Sequence, residues 1–247
     1  MGNEERAMLL GLWLLAFGDE EGFADLFFTH GFSEDRYLVL HQDGRIAAAL
    51  YWFDCSLRGE KMAYLYGVAT HPDYRNRGLC RTLMEKAHEH LLAQGYDSCI
   101  LVPQKEPLRQ MYEKMGYRTC STVSEYTCEA EEKSCWVRRV SPEGYGILRR
   151  MYLPEGGVRQ EGDTLPFLGA QAELYEGADF LLAAYREGDT LHGMELLGNR
   201  QAAPGILKAL GFRRGCFRTP GEGRPFAMFH PLKEGAQEPR YFGLAFD

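Results

Sequence analysis

The segment Arg75-Asn76-Arg77-Gly78-Leu79-Cys80-Arg81 lies between two runs of different periodicity and limits the fold more than any other stretch. Before it, Met62 to Thr70 is an apolar run of strand length. After it, Leu79 to Gln94 repeats apolar residues at helical spacing, and Gly95 is placed to cap the C-terminus. Ser98 to Val102 then reads as a second strand. Neighbouring strands joined through a helix run parallel, so the unit excludes all-helical and purely antiparallel folds. The turn itself has a chemical bias. A helix N-terminus presents unpaired N–H groups that favour an anion. Gly78 allows close backbone approach, and Arg75, Arg77 and Arg81 supply the charge that a pyrophosphate would need.

Upstream, residues 5–17 and 20–28 carry helical apolar patterns separated by Gly18 and Asp19. Tyr37 to Phe53 holds two apolar runs around Gln42-Asp43-Gly44, the signal of a tight hairpin, since both turn residues must tolerate positive φ. Downstream, Pro107 starts a short helix and Gly116-Tyr117 returns the chain to strand. The order α-α-β-β-β-α-β-α-β makes an α/β sandwich with a mixed sheet.

A charged and polar stretch, Cys128 to Ser134, then divides the chain into expected modules 1–127 and 135–247. The second repeats parts of the first. Residues 180–197, around Gly188-Asp189, echo the earlier hairpin, and 204–212 echo 109–117 when Gly211 is set on Gly116. It lacks any counterpart of the basic loop and long helix, and Leu207 falls where Tyr112 stands in the first copy.

The formal charge of -7 and dispersed Lys and Arg argue against a phosphate-backbone partner, so no nucleic acid is expected. Seven cysteines with no C-x-x-C pair suit reduced thiols and a cytoplasmic setting. No metal is expected. Met8 to Phe17 is too short to span a bilayer, which takes roughly 20 residues, and is preceded by Glu4 and Glu5, so it reads as a buried helix and no membrane association is expected. No G-x-x-x-x-G-K-[ST] occurs, which removes a P-loop nucleotide site.

The ensemble of Val68-Ala69-Thr70-His71-Pro72, Arg75 to Arg81, the long helix, and Leu108 to Tyr117 resembles the GNAT superfamily over residues 1–122. That superfamily carries a pyrophosphate motif Q/R-x-x-G-x-G/A and a later helix reading Y-x-K-x-G-F/Y. Cys80 replaces the last small residue of the first motif, and the Arg-x-Arg-Gly-Leu-x-Arg string is similar to that of the bacterial enhanced-intracellular-survival type of aminoglycoside acetyltransferase. The resemblance implies a GNAT-like mixed sheet flanked by helices, followed by a smaller degenerate GNAT-like module. It implies acetyl-CoA as cosubstrate, with Val68, Ala69 and Thr70 along the pantetheine arm and Arg75, Asn76, Arg77, Gly78, Leu79, Cys80 and Arg81 at the pyrophosphate. The implied reaction is direct transfer of acetyl to a small-molecule or peptide amine. A coenzyme A-binding sensor without turnover is the alternative.

Such a transfer needs a neutral amine, a polarised carbonyl and a protonated leaving thiolate. A backbone N–H near Val68, freed by a strand irregularity at Gly67, suits the carbonyl. Tyr112, matching the superfamily position, is the expected proton donor to sulfur, although Leu108, Met111, Tyr112 and Met115 also form a stripe suited to core packing. No base stands out. Tyr64, Tyr66, Val68 and Thr70 are expected on one side of the strand, which leaves Glu60, Asp54, His71 or water, or, by the resemblance, the terminal carboxylate of Asp247, with Phe246 as its anchor.

Overall fold

The structure, a computed structural model, describes residues 2–246. The chain opens with α1 (Asn3–Phe17) and α2 (Glu21–His30). Glu4 and Glu5 sit in the first turn of α1, where the helix dipole favours them, and left-handed Gly18 ends it by returning its N–H to the Leu14 carbonyl. Next come β1 (Tyr37–Gln42), β2 (Arg45–Leu57) and β3 (Glu60–Thr70). Asp43 and Gly44 both take positive φ, as the tight hairpin requires. A single 3₁₀ turn leads to α3 (Leu79–Ala93), β4 (Ser98–Leu101), α4 (Glu106–Glu113) and β5 (Arg118–Thr119).

The second half runs β6 (Thr122–Glu129), β7 (Arg138–Arg139), α5 (Pro142–Tyr152), β8 (Arg159–Gln160) and α6 (Thr164–Gln171). It continues β9 (Glu173–Glu176), β10 (Phe180–Glu187), β11 (Thr190–Gly198), α7 (Ala203–Leu210), β12 (Arg214–Pro220), β13 (Arg224–Pro225) and β14 (Met228–Pro231).

Two mixed sheets result. The first has the order β1-β2-β3-β4-β14-β5, with β8 on the end of β2; the second has β13-β6-β12-β11-β10-β9-β7. The sequence divides near residues 128–134, but the sheets do not. Thr122 to Glu129, assigned by sequence mostly to the first module, pairs with β12 in the second sheet, while β14 enters the first between β4 and β5. Each sheet is thus completed by a strand from the other half.

Alternation along β2 explains the layers. Tyr51, Phe53 and Cys55 face a core shared by both sheets, while Leu50 and Trp52 face α3, and the strand is buried on both sides. The shared core takes Trp13 and Phe27 from the first two helices, Phe167 from α6, Leu181 and Leu197 from the second sheet, and Phe242 and Phe246 from the tail. Inside it Arg149 of α5 pairs with Glu195 of β11 at 2.6 Å, and the hydroxyls of Tyr145 and Tyr241 donate to the same carboxylate. The Gln160 amide donates to the Leu244 carbonyl at 2.7 Å, which ties the tail to β8.

Sequence similarity sets α7 on α4, but the sheet places α7 elsewhere. It joins the parallel neighbours β11 and β12, the topological place that α3 holds between β3 and β4. With the long helix and one strand missing, the strand after α7 fills the vacant place beside β11. Among the described residues no helix is long and apolar enough to cross a membrane, and no group of three or more His, Cys, Asp or Glu could hold a metal.

Candidate active site

The site grows from one irregularity in β3. Register with β2 shifts between Ala49–Ala69 and Tyr51–Tyr66, so Gly67 and Val68 form a bulge, and Gly67 takes φ 59°. Only glycine suits this point twice over. The left-handed backbone disfavours a side chain, and a Cβ would lie 2.7 Å from the Trp13 ring. The extra residue reverses the alternation beyond it: Tyr64 and Tyr66 face the shared core, whereas Val68 packs with the α3 face and Ala69 with the shared core. The expectation that Val68 shares a side with Tyr64 and Tyr66 is therefore corrected.

Beside the bulge, β3 and β4 are paired only from Met62–Ser98 to Tyr64–Ile100, then part. The gap opens into two cavities. One, of about 730 Å³, is lined by Val68, Ala69, Thr70, Arg75, Asn76, Gly78, Leu79, Cys80 and Arg81, with Gln104, Met111 and Tyr112 on the opposite wall. The other, of about 290 Å³, lies towards α1 and the tail and is lined by Trp13, Asp19, Tyr66, Gly67, Tyr112 and Phe246 among others. Phe17, Val68, Gln104, Leu108 and Tyr112 border both.

The larger cavity has the features of an anion cradle at one end. Asn76 and Gly78 take φ 61° and 79°, left-handed conformations of the kind found in backbone anion nests. No side chain caps α3 and no acid occupies its first turn, so its orphan N–H groups remain available. A Cβ on Gly78 would meet nothing within 4 Å, which leaves open space against the backbone. Nine of the ten sequence-predicted cofactor residues line this cavity. Arg77 does not: its guanidinium lies 5.2 Å from the ring centroid of Tyr74, which is itself a lining residue. Arg75 donates to the Thr70 carbonyl and Arg81 to the Lys114 carbonyl, both at 3.3 Å, which holds the two stems along the cavity. Burial raises the Cys80 thiol above its usual range, against the lowering influence of Arg81, so it stays protonated and serves as a small wall residue.

Tyr112 stands where the cavities meet. It is 6% exposed, and its helix is anchored by Arg109, which donates to Thr119 Oγ1 at 2.8 Å and the Phe226 carbonyl at 3.3 Å. Burial, and more weakly Cys80, raises its phenol above the ordinary value, which keeps the proton on oxygen. No hydrogen-bond acceptor among the described residues engages that hydroxyl.

Of the acids and bases considered from sequence, Glu60, Asp54 and His71 line neither cavity. Glu60 accepts from the backbone and side-chain amides of Gln237 at 2.9 and 3.0 Å. Asp54 is engaged by Tyr96 and Arg36, and His71 Nδ1 accepts from the Asp73 amide at 3.3 Å. Asp247 lies outside the described residues, while Phe246 is buried against Phe53, Tyr64 and Phe167, and its N–H donates to the Tyr64 hydroxyl at 3.4 Å. Sequence reasoning passed over Asp19, the one acidic residue among those described in the smaller cavity, although Gly18 had marked the turn that carries it.

Comparison with known proteins agrees with this geometry. The acetyltransferase (GNAT) domain model matches residues 1–120. An acetyltransferase of Pectobacterium atrosepticum is 31% identical over 102 residues, covering 40% of this chain and 70% of that protein. A GCN5-related N-acetyltransferase from Kribbella flavida superposes with a TM-score of 0.71 at 17% identity over 96% of this chain and 71% of its own. One from Anabaena variabilis gives 0.72 at 14% identity, over 94% and 71% respectively. These structural likenesses extend across both sheets and speak to fold, whereas the sequence likenesses rest on the first half. Bulge, parted strands and a loop-to-helix cradle thus coincide with a family match, and the chain belongs to the GNAT acetyltransferases.

Proposed function

We propose that this chain moves the acetyl group of acetyl-CoA to an amine by direct attack on the thioester. One observation carries the reading: an anion cradle and a separate aromatic cavity meet at Val68 and Tyr112. In this reading the first-turn amides of α3, with Arg75 and Arg81, hold the pyrophosphate, and the strand from Val68 to Thr70 lies along the pantetheine arm. The bulge frees backbone N–H near Val68 to polarise the carbonyl. The amine nitrogen forms a bond to the carbonyl carbon, the carbon–sulfur bond breaks, and sulfur takes the phenolic proton of Tyr112. The amine proton leaves through water, and the phenolate is reprotonated from solvent. A cofactor sensor would have no use for the second cavity, which supports turnover over sensing.

The test is release of free coenzyme A from acetyl-CoA across an amine panel, by wild type and Tyr112→Phe. Amine-dependent release by wild type, much reduced in the variant, is expected. Binding of acetyl-CoA with no amine-dependent release would turn the reading towards the sensor.

A further inference from the structure

The smaller cavity has a charge pattern that the transfer chemistry does not require. Its wall is built from the rings of Trp13, Phe17, Phe23, Tyr64, Tyr66 and Phe246, and among the described residues its only charged side chain is Asp19. Asp19 is held in place. Its Oδ2 accepts from Trp13 Nε1 at 2.8 Å, and Oδ1 takes no other partner among the described residues. A carboxylate oriented by an indole, with one oxygen left over and aromatic faces around it, is a receptor for one cation.

Resting on the proposed transfer, we propose that the acceptor is a compact monoamine on an apolar or aromatic body, recognised through its ammonium form by Asp19. Three features exclude the wider classes of amine. Among the described residues the cavity holds no Lys, Arg or His, so an amino acid would bring its carboxylate towards Asp19 with nothing to receive it. A polyamine or aminoglycoside would bring several ammonium groups into a desolvated site where Asp19 offers a carboxylate to one alone. Size agrees, since about 290 Å³ lies at the lower bound of small-molecule sites, roughly 300–1,000 Å³. The amine docks as the ammonium, gives its proton to water at the open side, and reacts as the free base.

The experiment compares phenethylamine, hexylamine, phenylalanine, spermidine and kanamycin as acceptors, for wild type and Asp19→Asn, with acetyl-CoA affinity measured by calorimetry. Asparagine keeps the shape and can still accept from Trp13. We expect phenethylamine and hexylamine to be preferred, and Asp19→Asn to raise KM for phenethylamine by about tenfold or more, the worth of one charge-assisted hydrogen bond. The turnover number should change little and acetyl-CoA affinity not at all. Preference for kanamycin, spermidine or phenylalanine, or an unchanged KM in Asp19→Asn, overturns the assignment. Tight acetyl-CoA binding with none of the five amines acetylated overturns it as well while leaving the cofactor reading intact; loss of acetyl-CoA binding in wild type overturns both.

Discussion

The two sheets contain the same crossover in two conditions, one open and one filled. In the first, β3 and β4 part beyond Tyr64 and Ile100, and fifteen residues of α3 join them through a basic loop. In the second, β11 and β12 pair from Thr190–Arg214 to Gly193–Phe217, and eight residues of α7 suffice for the connection. Both hairpins bulge, since register also shifts between Ala183 and Ala184. What differs is what enters the space. The Phe217 ring packs so closely over Gly193 and Gly215 that a Cβ at either would lie 2.6 or 2.8 Å from it, and Thr219 Oγ1 donates to the Leu196 carbonyl at 2.9 Å. A bulged strand in a mixed sheet is therefore not sufficient for an acyltransferase cleft. The pairing of β11 and β12 also ends at Gly193–Phe217, so the space beyond a bulge must in addition be left unfilled by side chains.

The largest expected effect lies on the open side. Tyr112→Phe should lower turnover by about 10²–10⁴-fold, the usual worth of a general acid, with acetyl-CoA affinity near wild type. Single-turnover kinetics checks this under conditions where chemistry limits the rate, and wild-type turnover would reduce Tyr112 to a packing residue like Leu207.

The filled side should matter through stability. Arg149→Met leaves the Glu195 carboxylate buried without its partner, which costs about 3–5 kcal/mol for pairs of this kind. Because the shared core draws on both sheets, urea unfolding should remain a single transition shifted to lower denaturant. Two separate transitions would show that the modules are energetically independent.

Next is the cradle. Gly78→Glu places a side chain on a left-handed backbone, at about 1–2 kcal/mol, and sets a negative charge where phosphates are expected. Acetyl-CoA affinity should fall by about tenfold or more, and wild type should bind one equivalent per chain by calorimetry. Two equivalents would mean that the second sheet also holds a cradle, and the contrast would fail.

The smallest effect concerns the outer face of the first sheet. His88 is stacked on His230 at 4.3 Å and bonded to the Tyr117 hydroxyl at 2.8 Å; burial, and secondarily His230, lowers its pKa to about 4. Below an unfolded value of about 6.5, the unfolded chain binds the proton more readily. This contribution is therefore present above about pH 6.5 and lost as pH falls towards 4. His88→Gln should flatten the slope of Tm against pH in that window while leaving the filled sheet unchanged.

Local signals carried most of the first half. The Asp43-Gly44 hairpin, the start of α3 after Gly78 and its end at left-handed Gly95 were legible because each rests on a few neighbouring residues. The bulge at Gly67 was also legible, but its consequence was not: which face Val68 takes depends on the register of β2 against β3. The charge of Arg77 was legible, but its contact with the ring of Tyr74 was not, since that depends on the turn between β3 and α3. Asp19 gave no signal beyond its turn, because its meaning comes from rings spread from Trp13 to Phe246. The exchange of β6 and β14 was hidden for the same reason. Four residues at Met228–Pro231 carry nothing local that names Ser98–Leu101 as their partner.

That exchange also sets a timetable. When the ribosome has made β4, the strand that will cover its outer edge lies far ahead in the message, and at about 5–20 residues per second it arrives on the order of ten seconds later. Until then the nascent chain presents an unpaired apolar edge, Ser98-Cys99-Ile100-Leu101, of the kind that recruits other strands. The half that holds the candidate site is the first to be synthesised and among the last to be finished, so the closing of its sheet waits on the other half.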